Sequence, residues 1–186
     1  MDSKEIVIIM GYNAAGKTTL LKSTIINILF SQQVGFGFYQ SCTLNPFDYF
    51  HCYINIPDSV SRDSLFQAEV RRCKEILDTI TSKPTARHFC VFDELYSGTN
   101  PYEAISSAFG YLKYITKKSN VKFLLTTHFI RLCNLYDKDK NIENYSMKTD
   151  IVNDVPKYYY KFIEGISNVK GGITVLKEID YPKEIL

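Results

Sequence analysis

Lys17 stands in the run Gly11-Tyr12-Asn13-Ala14-Ala15-Gly16-Lys17-Thr18-Thr19, a G-x-x-x-x-G-K-T spacing. Gly11 and Gly16 permit backbone conformations and close approaches that a side chain would block. The loop N–H groups and a following helix N-terminus then point at β- and γ-phosphates. Lys17 would supply a point charge to the phosphate oxygens, and the Thr18 hydroxyl would ligate Mg²⁺. The chemistry implied is nucleoside triphosphate binding. Asp93 and Glu94 close an apolar run, Phe89-Cys90-Val91-Phe92, at a strand end of the kind where ligands bind in open α/β sheets. There Asp93 would hold the Mg²⁺ shell, and Glu94 would orient or deprotonate an attacking water. His128 closes a second such run, Leu124-Leu125-Thr126-Thr127, where a γ-phosphate sensor would sit. Taken singly these are a glycine turn, a strand-end turn and a structural histidine; their order along the chain favours the functional reading.

The elements that must position these residues follow from the hydrophobic pattern. Ile6 to Met10 is an apolar β-branched strand, and Leu20, Leu21, Ile25, Ile28 and Leu29 give the next stretch, to Phe30, a helical period. Val34 to Tyr39 reads as a strand with a close backbone contact at Gly35 and Gly37. Asn45 to Val60 reads as loop around a short strand from Tyr53 to Ile56. A helix is expected from Asp63 to just before Pro84, with Phe66, Val70, Cys73, Ile76, Leu77 and Ile80 on one face. Then come a strand over Arg87–Glu94, a helix over Tyr102–Lys118 and a strand over Lys122–Thr127. Ile142 to Asp150 and Lys157 to Ile163 read as two paired strands about Asn153-Asp154, and a closing helix is expected from Gly172 to about Ile179. Alternating strands and helices imply right-handed crossovers and a mainly parallel sheet covered on both faces. No internal repeat or linker interrupts the chain, so residues 1–186 read as one α/β domain.

The composition excludes several classes. A net charge of +2 offers no general electrostatic grip on nucleic acid. The apolar start is too short for a signal segment or a membrane span. Five cysteines lack metal-type spacing, and several lie in apolar patterns, which suits buried reduced thiols in a reducing compartment. A soluble intracellular protein, cytoplasmic or nuclear and without membrane contact, is expected.

The same residues resemble the MutS-type mismatch-repair ATPases. Gly11 to Thr19 resembles their G-P-N-x-x-G-K-S-T loop, and Phe92-Asp93-Glu94-Leu95-Tyr96-Ser97-Gly98-Thr99-Asn100 is similar to their D-E-x-x-R-G-T-S run. Leu125-Thr126-Thr127-His128-Phe129 resembles A-T-H-[FY], and Ser64-Leu65-Phe66-Gln67-Ala68-Glu69 resembles the S-T-F-x-x-E signature helix. Tyr160-Lys161-Phe162-Ile163-Glu164-Gly165 and Tyr181-Pro182-Lys183-Glu184-Ile185 resemble two C-terminal blocks, Y-K-L-x-x-G and [FY]-P-x-x-[VI]. The resemblance implies a P-loop fold of the ABC-ATPase type that binds ATP and Mg²⁺. It implies that Gly11, Asn13, Ala14, Ala15, Gly16, Lys17, Thr18 and Thr19 cradle the nucleotide, with Thr18 and Asp93 at the metal. Lys17, Glu94 and His128 would act on the γ-phosphate and the water. Two such domains would meet head to tail as a homodimer or heterodimer. Ser64 would then reach ATP on the partner, and Tyr160 would stack on adenine, against the alternative of a core strand aromatic.

The departures matter too. Arg62-Asp63 replaces the glycine before the signature serine, and Ser97 replaces the arginine of R-G-T. The family's antiparallel strands ahead of the loop, its helical dimerisation tail and its mismatch-recognition, connector, lever and clamp domains have no counterpart in this sequence. DNA would be engaged through domains or partners outside it. Three alternatives differ in a visible feature. Another ABC-type ATPase would carry an L-S-G-G-Q run, which is absent here, and a small nucleoside kinase would carry an arginine-rich lid. An ATP-dependent dimerisation module would bind nucleotide with little turnover.

Overall fold

The computed structural model describes residues 6–11, 15–56, 64–152, 155–167 and 181–182. Its elements are β1 (Ile6–Met10), α1 (Lys17–Val34), β2 (Tyr49–Tyr53), α2 (Leu65–Ser82), β3 (His88–Asp93), α3 (Pro101–Ile115), β4 (Val121–Thr127), α4 (Ile130–Tyr136), β5 (Ile142–Val152) and β6 (Val155–Glu164). The strands form one sheet in the order β2-β3-β4-β1-β5-β6. Neighbours from β2 through β5 are parallel, and β6 pairs antiparallel with β5. This is a mixed α/β fold with a mainly parallel sheet and a C-terminal antiparallel pair.

Strands buried on both faces read as continuous apolar runs, and β3 shows why. Phe89 and Val91 pack with Leu21 and Ile25 of α1, while Cys90 and Phe92 join the larger cluster beneath α2, α3 and α4. α1 therefore covers one face and the other three helices cover the opposite one. The arrangement leaves the C-terminal ends of β1, β3 and β4 side by side, with Met10, Asp93 and Thr127 at their tips.

α2 begins where its cap is made. The Ser64 hydroxyl accepts the Gln67 N–H and the Gln67 side chain accepts the Ser64 N–H, a reciprocal capping box that contributes about 1 kcal/mol. Its inward face carries Cys73, Ile76 and Ile80, and each isoleucine stabilises the fold by about 1.5–3 kcal/mol on full burial. Val70 is not on that face: it is 41% exposed, and its neighbour Glu69 is buried instead. On α1, Leu29 likewise lies exposed beside Ile26 and Phe30.

Other expectations are corrected. Val34 to Tyr39 forms no strand: α1 runs to Val34 and Gly35 caps it in the left-handed region, its N–H bonded to Ser31 O. Glycine takes that conformation without strain, so the helix stop is local chemistry. The short strand lies at Tyr49–Tyr53 rather than Tyr53–Ile56, because Phe47 and Phe50 pack on Phe89 and set the pairing with β3. α3 ends at Ile115 rather than Lys118, and α4 fills a stretch that carried no assignment. The closing helix expected over 172–179 lies outside the described residues. Cys73, Cys90 and Cys133 are buried thiols and Cys42 and Cys52 are exposed ones. Among the described residues no helix is long and apolar enough to cross a membrane.

Candidate functional site

β1 delivers Gly11 and α1 starts at Lys17, so the loop between them is short and its ends are fixed by the sheet and the helix. A Cβ at Gly11 would lie 3.1 Å from Met147 Cβ of β5. Gly16 caps α1 at φ 94°, and a Cβ there would lie 3.3 Å from the Tyr160 ring. Gly16 is thus favoured by its backbone angle and by a tight contact, and Gly11 by a close approach that Met147 would have to yield to a side chain. Ala15 is buried against Ile9 and Met147. Asn13 and Ala14 lie outside the described residues.

Lys17 is 5% exposed, and its ammonium bonds the Gly11 carbonyl at 2.7 Å and lies 3.3 Å from Glu94 Oε1. His128 Nδ1 lies 3.5 Å from that same oxygen. The His128 hydrogen bond and the Lys17 charge hold the Glu94 carboxyl well down, to about 2, against the upward push of partial burial. Beside this group the Thr18 hydroxyl donates to Asp93 Oδ2 at 2.7 Å, and the Thr126 hydroxyl donates to Asp93 Oδ1. Glu94 itself sits just past β3 at φ 51°, with its N–H on Thr126 O at 3.1 Å. A non-glycine residue in that region is strained and persists where its surroundings determine it.

These groups open on a cleft of about 530 Å³ lined by Gly16, Lys17, Thr18, Thr19, Asp93 and Glu94 on one side. Tyr53, Asn55, Ile56, Leu65, Glu69 and Ser97 line the other. Leu65, Glu69 and Ser97 lie in the blocks that carry the resemblance, whereas Tyr53, Asn55 and Ile56 had no expected role; Asn55, at φ 50°, had a signal in asparagine's tolerance of left-handed backbone. A buried ammonium beside a helix N-terminus suits a polyanion. Among the described residues no three His, Cys, Asp or Glu side chains cluster as metal ligands. The paired Thr18 hydroxyl and Asp93 carboxylate instead suit Mg²⁺, which takes few protein ligands and shares the rest with phosphates and water.

Two expected residues sit apart from the loop-and-acid cluster or at its rim. Ser64 is exposed and caps its own helix, and only later residues of α2 reach the cleft. Tyr160 is 67% exposed at φ 52°, so it is not a core aromatic; its ring lies over Gly16. A second polar pair, unforeseen from sequence, lies elsewhere: His51 Nε2 and His88 Nδ1 are 3.0 Å apart and buried, and neither lines the cleft.

A mixed α/β domain with an ammonium, a hydroxyl–carboxylate pair and a histidine-held glutamate at its parallel strand ends is the class this geometry defines. The chain belongs to the MutS domain V family, whose model matches residues 7–186. It is 32% identical to a DNA mismatch repair protein MutS of Parabacteroides distasonis over its whole length. It is 30% identical to one of Orientia tsutsugamushi over its whole length, and 27% to one of Carboxydothermus hydrogenoformans. The chain spans about a fifth of the length of these relatives: 21%, 20% and 22%.

Proposed function

We propose that residues 1–186 are the ATP-binding and ATP-hydrolysing domain, of the ABC-ATPase type, of a MutS-like DNA mismatch repair or recombination protein. The observation that carries this reading is the convergence of Lys17 and His128 on one oxygen of Glu94, next to the Thr18–Asp93 pair. Lys17 and the loop N–H groups bind the phosphates, and Thr18 and Asp93 hold Mg²⁺, which screens phosphate charge when bound. Glu94 is ionised at neutral pH and accepts a hydrogen bond from the attacking water. When Lys17 turns from Glu94 to a phosphate oxygen, Glu94 loses one of the charges that depress it and becomes a stronger base. His128 stays on Glu94 and keeps its oxygen oriented. Tyr160, exposed beside Gly16, is placed to stack on the base.

The site is completed in a head-to-tail dimer, with DNA engaged through other domains or partners. Ser64 supports this: its oxygen accepts the cap bond from Gln67, and its O–H remains a donor for an anion on a second subunit. Dilution should therefore lower specific activity. Mixing Lys17→Ala with Ser64→Ala protein at high concentration should restore up to one working site per heterodimer. Flat specific activity on dilution together with no recovery in the mixture would place hydrolysis within one chain and sink the composite-site reading.

A further inference from the structure

Glu69 is the charged side chain that α2 turns inward, and it is 2% exposed. Its Oε1 accepts the Ser97 hydroxyl at 3.0 Å and its Oε2 accepts the Gly98 N–H at 3.0 Å. The Tyr53 hydroxyl neighbours the same carboxylate and accepts the Tyr96 N–H at 3.1 Å. Every partner therefore either belongs to the loop that follows Glu94 or holds that loop. The contact is close, since a Cβ on Gly98 would lie 2.7 Å from Leu65 Cγ and 2.9 Å from Phe66 N. The Phe66 ring meets Tyr96 edge-on at 5.9 Å between centroids.

Two facts say what this arrangement is for. A buried carboxylate is costly even when its lone pairs are filled, and an apolar replacement is often neutral or stabilising, so stability alone does not explain it. The loop it grips is strained: Glu94 and Tyr96 have φ values of 51° and 60°, and such backbone persists only where neighbours hold it. A carboxylate has two acceptors on a rigid plane and can pin two successive residues at once.

We propose that Glu69 is a positioning residue that fastens the Glu94 loop onto the first turns of α2, so that Ser64 and the Asp93–Glu94 pair move as one unit. Its functional consequence rests on the ATPase reading. In a head-to-tail dimer Glu94 serves its own subunit's nucleotide and Ser64 the partner's, so the Glu69 bonds join the two sites mechanically. The fastening itself stands without that reading.

Amide hydrogen exchange and steady-state kinetics on Glu69→Ala, Glu69→Gln and Ser97→Ala protein test it. Exchange at the Tyr96 and Gly98 amides should quicken by about tenfold or more in Glu69→Ala and by less in Glu69→Gln, which keeps one acceptor. Turnover should fall about tenfold to a hundredfold, with ATP affinity within about twofold of wild type, because orientation is lost and binding is not. Adding Ser97→Ala to Glu69→Gln should cost less than the sum of the two changes. Should Glu69→Ala not fold, Glu69→Gln carries the test. Unchanged exchange at Gly98 in folded Glu69→Ala, or unchanged turnover and exchange in Glu69→Gln combined with Ser97→Ala, overturns the proposal. So does turnover that falls only in step with the loss of folded protein, or that does not fall at all. A wild type that neither binds nor hydrolyses ATP would defeat the ATPase reading, and the exchange measurement would still decide the role of Glu69.

Discussion

The cluster around Glu94 and the His51–His88 pair are both polar and both carried on or beside the parallel strands, yet they are built on opposite terms. At Glu94 a carboxylate meets an ammonium, open to a cleft and placed at the C-terminal strand ends. At His51 the rings are buried and closed off from the cleft. His88 Nε2 faces the Lys83 carbonyl, which can only accept, so that nitrogen carries a proton, and His88 Nδ1 meets His51 Nε2 at 3.0 Å. Tyr49 stacks on His88 and completes the enclosure. The lesson is that residue type does not separate a working polar cluster from a structural one. Access to a cavity at the strand ends does, because an interaction that must change partners needs somewhere for the new partner to bind.

That contrast can be broken at four points. The largest effect is expected from Glu94→Gln, which should slow hydrolysis by about 10²–10⁴-fold through loss of the base. Nucleotide affinity should hold or tighten, since Lys17 loses a competing anion and the phosphates lose a repelling one. Wild-type turnover in this variant would show that another group activates the water. Lys17→Ala should weaken nucleotide binding about a hundredfold or more, read by calorimetry, by removing a buried charged donor. Unchanged affinity would remove Lys17 from the site.

The histidine pair should respond the other way. His51→Ala should lower the unfolding free energy by about 2 kcal/mol, seen in the urea midpoint, because it opens a cavity and strands His88 Nδ1. Nucleotide affinity should move less than about twofold; a loss comparable to that of Lys17→Ala would merge the two clusters into one.

The smallest effect is the pH dependence, and it separates the clusters by window. Burial, then the neighbouring His88 and Arg72 charges, lower His51 from 6.5 to about 4. Between those values the unfolded chain takes up a proton that the folded one refuses, so stability falls as pH drops from about 6.5 to about 4. Glu94, held near 2 from an ordinary 4.5, contributes stability above about pH 4.5 that is lost as pH falls toward 2. Thermal melts across pH should lose the upper slope in His51→Gln and the lower slope in Glu94→Gln. If His51→Gln keeps the upper slope, another group titrates there.

Much of this was legible in the sequence, because it is written in short-range patterns. The strands β1, β3 and β4 announce themselves as apolar β-branched or aromatic runs, and the glycine spacing of the loop and the acids and histidine at strand ends sit within a few residues of those runs. Local order along the chain is enough to place Lys17, Thr18, Asp93, Glu94 and His128 at the same edge of a parallel sheet. What the sequence could not decide is each choice that depends on a distant partner. Val34 to Tyr39 has strand-forming residues but gains no neighbouring strand, and Gly35 ends the helix instead. Tyr49 and Tyr53 are equally good strand starts until β3 selects a register. Glu69 and Val70 are adjacent on one helix, and it is the loop at Ser97 and Gly98, about thirty residues away, that draws the carboxylate inward and leaves the valine in solvent. His51 and His88 meet across 37 residues for the same reason. Periodicity and turn chemistry act over three or four neighbours, whereas burial of a polar group is settled by whichever distant donor or acceptor the packed chain brings within 3 Å of it.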